Sequence, residues 1–326
     1  MARPHPLLTT LAGVTALSLA AACAAEADES PVALERASTT TTAPTTTTTA
    51  PTTTAPPAPT TTTPPVDIFA LRPPPPAGDP AGLVQQIAAA EGTLRDPATT
   101  PEAGAAAALA QQVAYRQLGV HPEWEAEVLA GLPEGLRPIA QLHAAARREF
   151  RAMHTKPATT MPAWQIVPPP AADLLHASYR EAEATFGIPW RYLAAINLVE
   201  TGMGRIRGTS TAGAQGPMQF MPATWAAYGG GGDINDPHDA VMGAARYLAA
   251  NNGATDIDNA LFRYNHSDHY VRGVKLYADL IAEHPQAYLG FHLWGVWYFT
   301  AQGDVYLPVG YHEPTSVPVA DYLARG

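Results

Sequence analysis

Glu200 closes the apolar run Pro189 to Val199, and Thr201-Gly202-Met203-Gly204 follows it. Leu193, Ile196 and Val199 recur at three-residue steps, and Glu200 falls four residues after Ile196. On a helix that spacing puts the carboxyl beside the apolar stripe, where water is scarce. Desolvation disfavours the charged form, and a carboxyl that keeps its proton near neutral pH can give it to a glycosidic oxygen. An isolated glutamate at a helix end is ordinarily a solvated residue. The stretch Ser210 to Met221 changes that reading. Its small positions Ala212, Gly213, Ala214 and Gly216 would let backbone amides approach a ligand closely, and Gln215 and Gln219 add side-chain donors and acceptors. One desolvated acid beside such a loop is expected to form a sugar-cleaving groove.

Three motifs carry a specific resemblance. Leu198-Val199-Glu200-Thr201-Gly202, Gly213-Ala214-Gln215-Gly216-Pro217-Met218-Gln219-Phe220-Met221-Pro222-Ala223-Thr224-Trp225, and Tyr264-Asn265 occur in this order. In that order they resemble the lytic transglycosylase domain, a family that shares the goose-type lysozyme fold. The likeness spans Ala171 to Glu283, about a third of the chain. It implies cleavage of the MurNAc-GlcNAc β-1,4 bond of peptidoglycan without water, leaving a 1,6-anhydromuramoyl end. By position it implies that Glu200 is the single acid and base, that Met218 and Gln219 line the groove, and that Tyr264 and Asn265 hold the sugar. The chain departs from the family at Thr201, where serine is usual, at Pro217, where leucine is usual, and at His266-Ser267, where Ala-Gly is usual.

Two other readings stay open. A lysozyme-type hydrolase would need a second carboxylate roughly 5 to 9 Å from the first. Asp233, Asp236 and Asp239 are the nearest in sequence, but Asp236-Pro237 looks like a helix cap and Asp239 suits a first helical turn, which leaves Asp233. A non-catalytic wall-binding lipoprotein would use the groove without turnover, although a pure binder has no need of an acid in an apolar setting. His266, Asp268 and His269 form a cluster best read as capping the helix that begins near His269. Asp233-Ile234-Asn235 lacks the Gly and Glu of a calcium loop. No metal and no cofactor is expected. Among the helical aromatics Tyr228, beside Gly229 to Gly232, has the best claim on the groove, while Trp190, Tyr192, Trp225, Tyr247 and Tyr270 read mainly as core.

The elements that must position these residues are mainly α. Helices are expected at Ala171 to Phe186, Pro189 to Thr201, Pro222 to Tyr228, Pro237 to Asn251, Ile257 to Tyr264 and His269 to Glu283. Before them, Ala81 to Leu94, Pro101 to Leu118, Glu123 to Leu129 and Leu136 to Met153 form an N-terminal helical region, with Pro97, Gly119 and Pro133 as breaks. A proline-rich connector, Lys156 to Pro170, joins the two sets. Val296-Trp297-Tyr298-Phe299 and Val305-Tyr306-Leu307-Pro308 flank Gln302-Gly303-Asp304 and predict a small C-terminal β-hairpin. The fold expected is thus a lysozyme-like helical catalytic domain at 157–286, with a helical region at 80–156 and an aromatic extension at 287–326.

Residues 1–23 read as an export signal, with Arg3 before an apolar stretch too short for a confident membrane span. Cys23 follows Leu19-Ala20-Ala21-Ala22, which resembles a bacterial lipobox with Leu19 one position further from the cysteine than usual. Lipidation at Cys23 would anchor the chain in the membrane, whereas ordinary signal cleavage would discard that residue. As the sole cysteine it excludes an internal disulfide. Residues 24–79 read as a Thr/Pro-rich disordered linker. If polyproline-like at ~3.1 Å per residue, Ser38 to Asp79 would reach on the order of 130 Å. A net charge of −10 without Lys/Arg clusters argues against a nucleic-acid partner. The expected product is an extracytoplasmic monomer on the cell envelope whose partner is the glycan strand of peptidoglycan.

Overall fold

A computed structural model describes residues 66–325. The export signal, Cys23 and the Thr/Pro tract up to residue 65 lie outside the described residues. Four helices come first: α1 (Pro80–Arg95), α2 (Pro101–Val120), α3 (Glu125–Gly131) and α4 (Arg137–Met153). After the short strands β1 (Thr160–Met161) and β2 (Gln165–Ile166) come α5 (Ala172–Phe186), α6 (Trp190–Thr201) and β3 (Ile206–Arg207). The helices α7 (Pro222–Tyr228), α8 (Pro237–Ala250), α9 (Ile257–Tyr264), α10 (Asp268–Glu283) and α11 (Gln286–Leu293) follow, then β4 (Val296–Thr300), β5 (Gly303–Leu307), β6 (Val317–Pro318) and α12 (Val319–Leu323). The mainly α architecture, the N-terminal helical region and the C-terminal hairpin are those expected.

Helix α6 is the centre of the molecule. The sequence suggests an apolar stripe, yet every residue from Tyr192 to Thr201 is buried. The run Trp-Arg-Tyr-Leu-Ala-Ala-Ile-Asn-Leu-Val-Glu-Thr offers water almost nothing on any side, so the helix is enclosed on all faces. Helices α5, α8, α10 and α11 pack around it. It stops at Gly202, whose φ of 60° is left-handed and whose N–H returns to the Leu198 carbonyl at 3.0 Å.

The N-terminal region packs directly on this unit. Helix α4 lies between α2 and α10, and two glycines set the spacing. A Cβ at Gly273 would stand 2.6 Å from the Phe150 ring, and one at Gly119 would stand 2.8 Å from Arg147 Cβ. Gly119 is therefore not the break expected from sequence: α2 runs through it to Val120, and its missing side chain lets α4 approach. The expected cap at His269 also moves. Ser267 caps α10, while His269 and Arg272 both bond Glu149 of α4, at 2.7 and 2.9 Å.

Buried glutamines on α2 fasten the C-terminal extension. Gln112 accepts from Gly295 N–H at 3.0 Å and donates to the Gly295 carbonyl at 2.9 Å, and Gln111 accepts from the Trp294 indole at 2.9 Å. The hairpin pairs Val296 with Leu307 and Thr300 with Gly303, so the turn is Ala301-Gln302, earlier than predicted, and Gly303 already belongs to β5. The connector is more than a spacer. β1 pairs with β6 and β2 with β3, and together with the hairpin they enclose a second core around Met161, Trp164, Ile166, Tyr298 and Leu307. Residues 67–79, read above as the end of the linker, rest on the body, with Arg205 over the Phe69 ring at 5.4 Å. Among the described residues no helix is long and apolar enough to cross a membrane.

A third core holds the first four helices and contains buried charge. Glu91 accepts from Tyr115, Gln111 and Arg95. His143 stacks on Tyr115 with ring centroids 4.0 Å apart, and its Nδ1 has no partner. Burial first of all holds His143 down to about 3, against the pull of Glu91. A histidine buried neutral supports the fold above its unfolded pKa of about 6.5, and that support is lost as pH falls and the unfolded chain takes up a proton. The slope is about 1.4 kcal/mol per pH unit. His143→Phe keeps the stack and removes the titration. Melting curves of the variant between pH 6.5 and 5 are expected to be markedly flatter than those of the native chain; equal slopes would refute this role for His143.

Candidate active site

Glu200 is wholly inaccessible at the end of α6. Its Oε1 accepts a hydrogen bond from the Tyr270 hydroxyl at 2.8 Å, and its Oε2 is buried with no partner. Burial raises the carboxyl well above the usual carboxylate range, and the Tyr270 bond pulls the other way by favouring the ionised form. The desolvation expected for this acid is present in a stronger form than a helix stripe suggests.

The loop after β3 is held to the same helix end. The Thr201 hydroxyl donates to the Pro217 carbonyl at 2.6 Å and accepts from the Gly204 N–H at 3.0 Å. Gln215 and Phe220 exchange two backbone bonds at 2.9 Å, forming a small closed turn. Inside it Gly216 has φ 74° and Gln219 φ 50°. A Cβ on Gly216 would fall 1.9 Å from the Ile234 carbonyl oxygen, so only glycine permits both the left-handed backbone and this approach. The loop amides expected to face a ligand are largely engaged within the loop. Gly213 donates to Ser210, Ala214 to the Ser210 hydroxyl, Gln215 to Phe220 and Gln219 to Gly216. Its small residues serve the turn's own closure.

Tyr264 is buried, and its hydroxyl donates to the Met218 carbonyl at 2.7 Å. Its ring lies nearly parallel to that of Tyr270, with centroids 6.4 Å apart. Tyr264 also meets Tyr247 edge-on at 5.6 Å, and Tyr247 meets Tyr228 at 5.0 Å. Glu200, Tyr270, Tyr264 and Met218 are thus brought together by direct contacts. Tyr228 stands two rings away, half-buried against Tyr247. Asn265 is buried at the end of α9 and Gln215 is half-buried. The Gln219 amide nitrogen bonds the Gly216 carbonyl at 3.0 Å, while its Oε1 is buried and unsatisfied.

Two buried polar residues near the acid are not marked out by the sequence. Tyr270 reads in sequence as a core aromatic, since nothing local links it to an acid seventy positions earlier. Asn197, one turn before Glu200, is fully buried with neither amide atom satisfied. Its spacing from Glu200 was the available signal, because residues three apart are helix neighbours. Asp233 is exposed and its carboxylate accepts from the Asn235 N–H at 2.9 Å, while Asp236 caps α8 through the Asp239 N–H at 3.0 Å, as its sequence suggests.

The arrangement favours the protonated form of one carboxyl in a dry site, with a tyrosine hydroxyl on one oxygen and the other oxygen buried without a hydrogen-bond partner. Comparisons with curated proteins and with solved structures give no match. The family model of the Transglycosylase SLT domain matches residues 177–279, inside the Ala171 to Glu283 stretch of the resemblance, and supports a lytic transglycosylase-type domain there.

Proposed function

We propose that the protein cleaves the MurNAc-GlcNAc β-1,4 bond of peptidoglycan and leaves a 1,6-anhydromuramoyl end, with Glu200 as the single acid and base. The observation that carries this reading is the enclosed Glu200 carboxyl, bonded on one oxygen by Tyr270 and unsatisfied on the other. Protonated by desolvation, Glu200 gives its proton to the leaving glycosidic oxygen; as the carboxylate it then takes the proton of the C6 hydroxyl, whose oxygen closes on C1. The Tyr270 bond stabilises the carboxylate formed between these steps. Both are proton transfers at one group, so no second carboxylate is needed, in keeping with Asp233 being engaged in its own turn.

Gln219 Oε1 and the Asn197 amide are further buried polar atoms without partners, which sugar hydroxyls and acetamido groups would satisfy. Met218, Gln215, Tyr264, Asn265 and Tyr228 complete the proposed substrate-binding set. The same reading places the enzyme outside the cytoplasm as a monomer, exported by residues 1–23, lipid-anchored at Cys23 and carried on the linker, with the helices of 80–156 supporting the catalytic domain and the aromatic extension of 287–326 following it.

Glu200→Gln preserves shape but cannot shuttle a proton, so turnover should fall on the order of 10²–10⁴-fold or more. Mass spectrometry of fragments released from purified peptidoglycan tests the chemistry: anhydro-ended products absent with the variant support the proposal, and reducing-end products indicate a hydrolase. Activity should fall as pH rises through the elevated pKa of Glu200. Tyr270→Phe removes the bond that lowers this pKa, so the alkaline limb of kcat/KM should move to higher pH, and an unmoved limb would refute the Tyr270 role. Gly216→Ala forces a strained φ and a backbone clash worth about 1–3 kcal/mol or more. It should reduce turnover while circular dichroism retains the helical signal.

A further inference from the structure

Behind the catalytic helix lies a cleft with a different chemistry. Leu198 and Val199 of α6, with Gly202 just past its end, form one wall; Glu200 is not among its lining residues. Phe150, Tyr277 and Trp297 form much of the rest, and the charged groups are Arg116 and Arg147. Its cavity of about 60 Å³ has room for roughly four waters, or for one small planar group on a short stem, but not for a disaccharide.

The charge balance is one-sided. Arg116 bonds Asp304 and stacks on Trp297 at 4.8 Å, and Arg151 approaches the same Asp304 at 3.7 Å. Across this cleft and the adjoining one, Asp304 faces Arg116, Arg147 and Arg151, a cationic excess in a chain of net charge −10. Burial, then the neighbouring Arg147, holds Arg116 down to about 9 against the pull of Asp304. Arg147 Nε is buried without a hydrogen-bond partner, and the buried Tyr277 hydroxyl lies beside the Arg147 guanidinium, which favours its ionised form against the effect of burial. A planar guanidinium presents paired donors that match a carboxylate. A tyrosine hydroxyl beside it can accept an amide N–H. The apolar wall of Phe150, Leu198 and Val199 suits a methyl-sized side chain.

We propose that this cleft binds the free carboxyl end of a peptide with a small terminal residue: carboxylate on Arg147, terminal amide N–H on the Tyr277 hydroxyl, side chain against Phe150 and Leu198. The site is separate from Glu200, so it stands or falls independently of the catalytic reading.

Calorimetric titration of the full chain with acetyl-alanyl-alanine, as the L,L and D,D isomers, and with the corresponding C-terminal amides tests this. At least one acid should bind, with its amide at least tenfold weaker; Arg147→Gln should remove acid binding without lowering the melting temperature, and Glu200→Gln should leave it unchanged. No binding of either acid at millimolar concentration, or equal binding of acid and amide, would overturn the proposal. So would acetate or inorganic phosphate binding as tightly as the peptide acid, which would mark a general anion site. If Arg147→Gln fails to fold, the acid-to-amide ratio on the native chain decides alone. Loss of acid binding in Glu200→Gln would move the ligand to the catalytic groove and refute a separate site.

Discussion

A twelve-residue helix with almost no polar face cannot rest on a surface, and most of the structure follows from enclosing α6. Burying it on every side requires helices around it and a stop where the chain can leave, which Gly202 supplies with its left-handed backbone. Glu200 sits one residue before that helix end. Its desolvation is therefore a consequence of how the centre of the molecule is built, and its raised pKa needs no neighbouring negative charge. Enclosure that would be costly for an ionised carboxylate is tolerable for a neutral one, so the protonated form that the proposed proton donation requires is also the form the fold prefers.

Around that centre, polar groups are fixed by tertiary bonds more than by local ones. Thr201 holds the loop carbonyl of Pro217, Tyr264 holds that of Met218, and Tyr270 reaches Glu200 itself. These hydroxyls come from three separate helices, so a shift of any one of them would be felt at the carboxyl. The N-terminal helices join the same system. α4 contacts α10 where Gly273 makes room for Phe150, and Glu149 ties His269 and Arg272, one turn of α10 around Tyr270. A region without catalytic residues thereby bears on the orientation of the tyrosine that touches the acid.

The departures from the family pattern find physical places here. Thr201 keeps the hydroxyl that serine would supply and uses it on the loop. Pro217, where leucine is usual, offers its carbonyl as that acceptor, and a proline carbonyl needs no adjacent N–H to do so. Ser267, in the segment that differs after Tyr264-Asn265, caps α10.

The helices were legible in sequence because their signals are local. Pro222 to Tyr228 and Ile257 to Tyr264 match their predicted limits, and caps such as Asp236 act within three residues. The Glu200 and glycine-rich motifs were legible for the same reason, since each is a short run with fixed spacing. What the sequence could not show is set by contacts between distant segments. It could not place Tyr270 on Glu200 or turn Gly119 from a break into a close contact. It also could not fold the connector and C-terminal strands into one core, or gather arginines from α2 and α4 beside Trp297. By itself, the sequence determined that an acid would be desolvated beside a tight loop, because hydrophobic period and backbone permissiveness are properties of neighbouring residues. Tertiary structure alone decided how completely it is buried and which hydroxyl meets it, because those depend on which surfaces pack when α6 is enclosed.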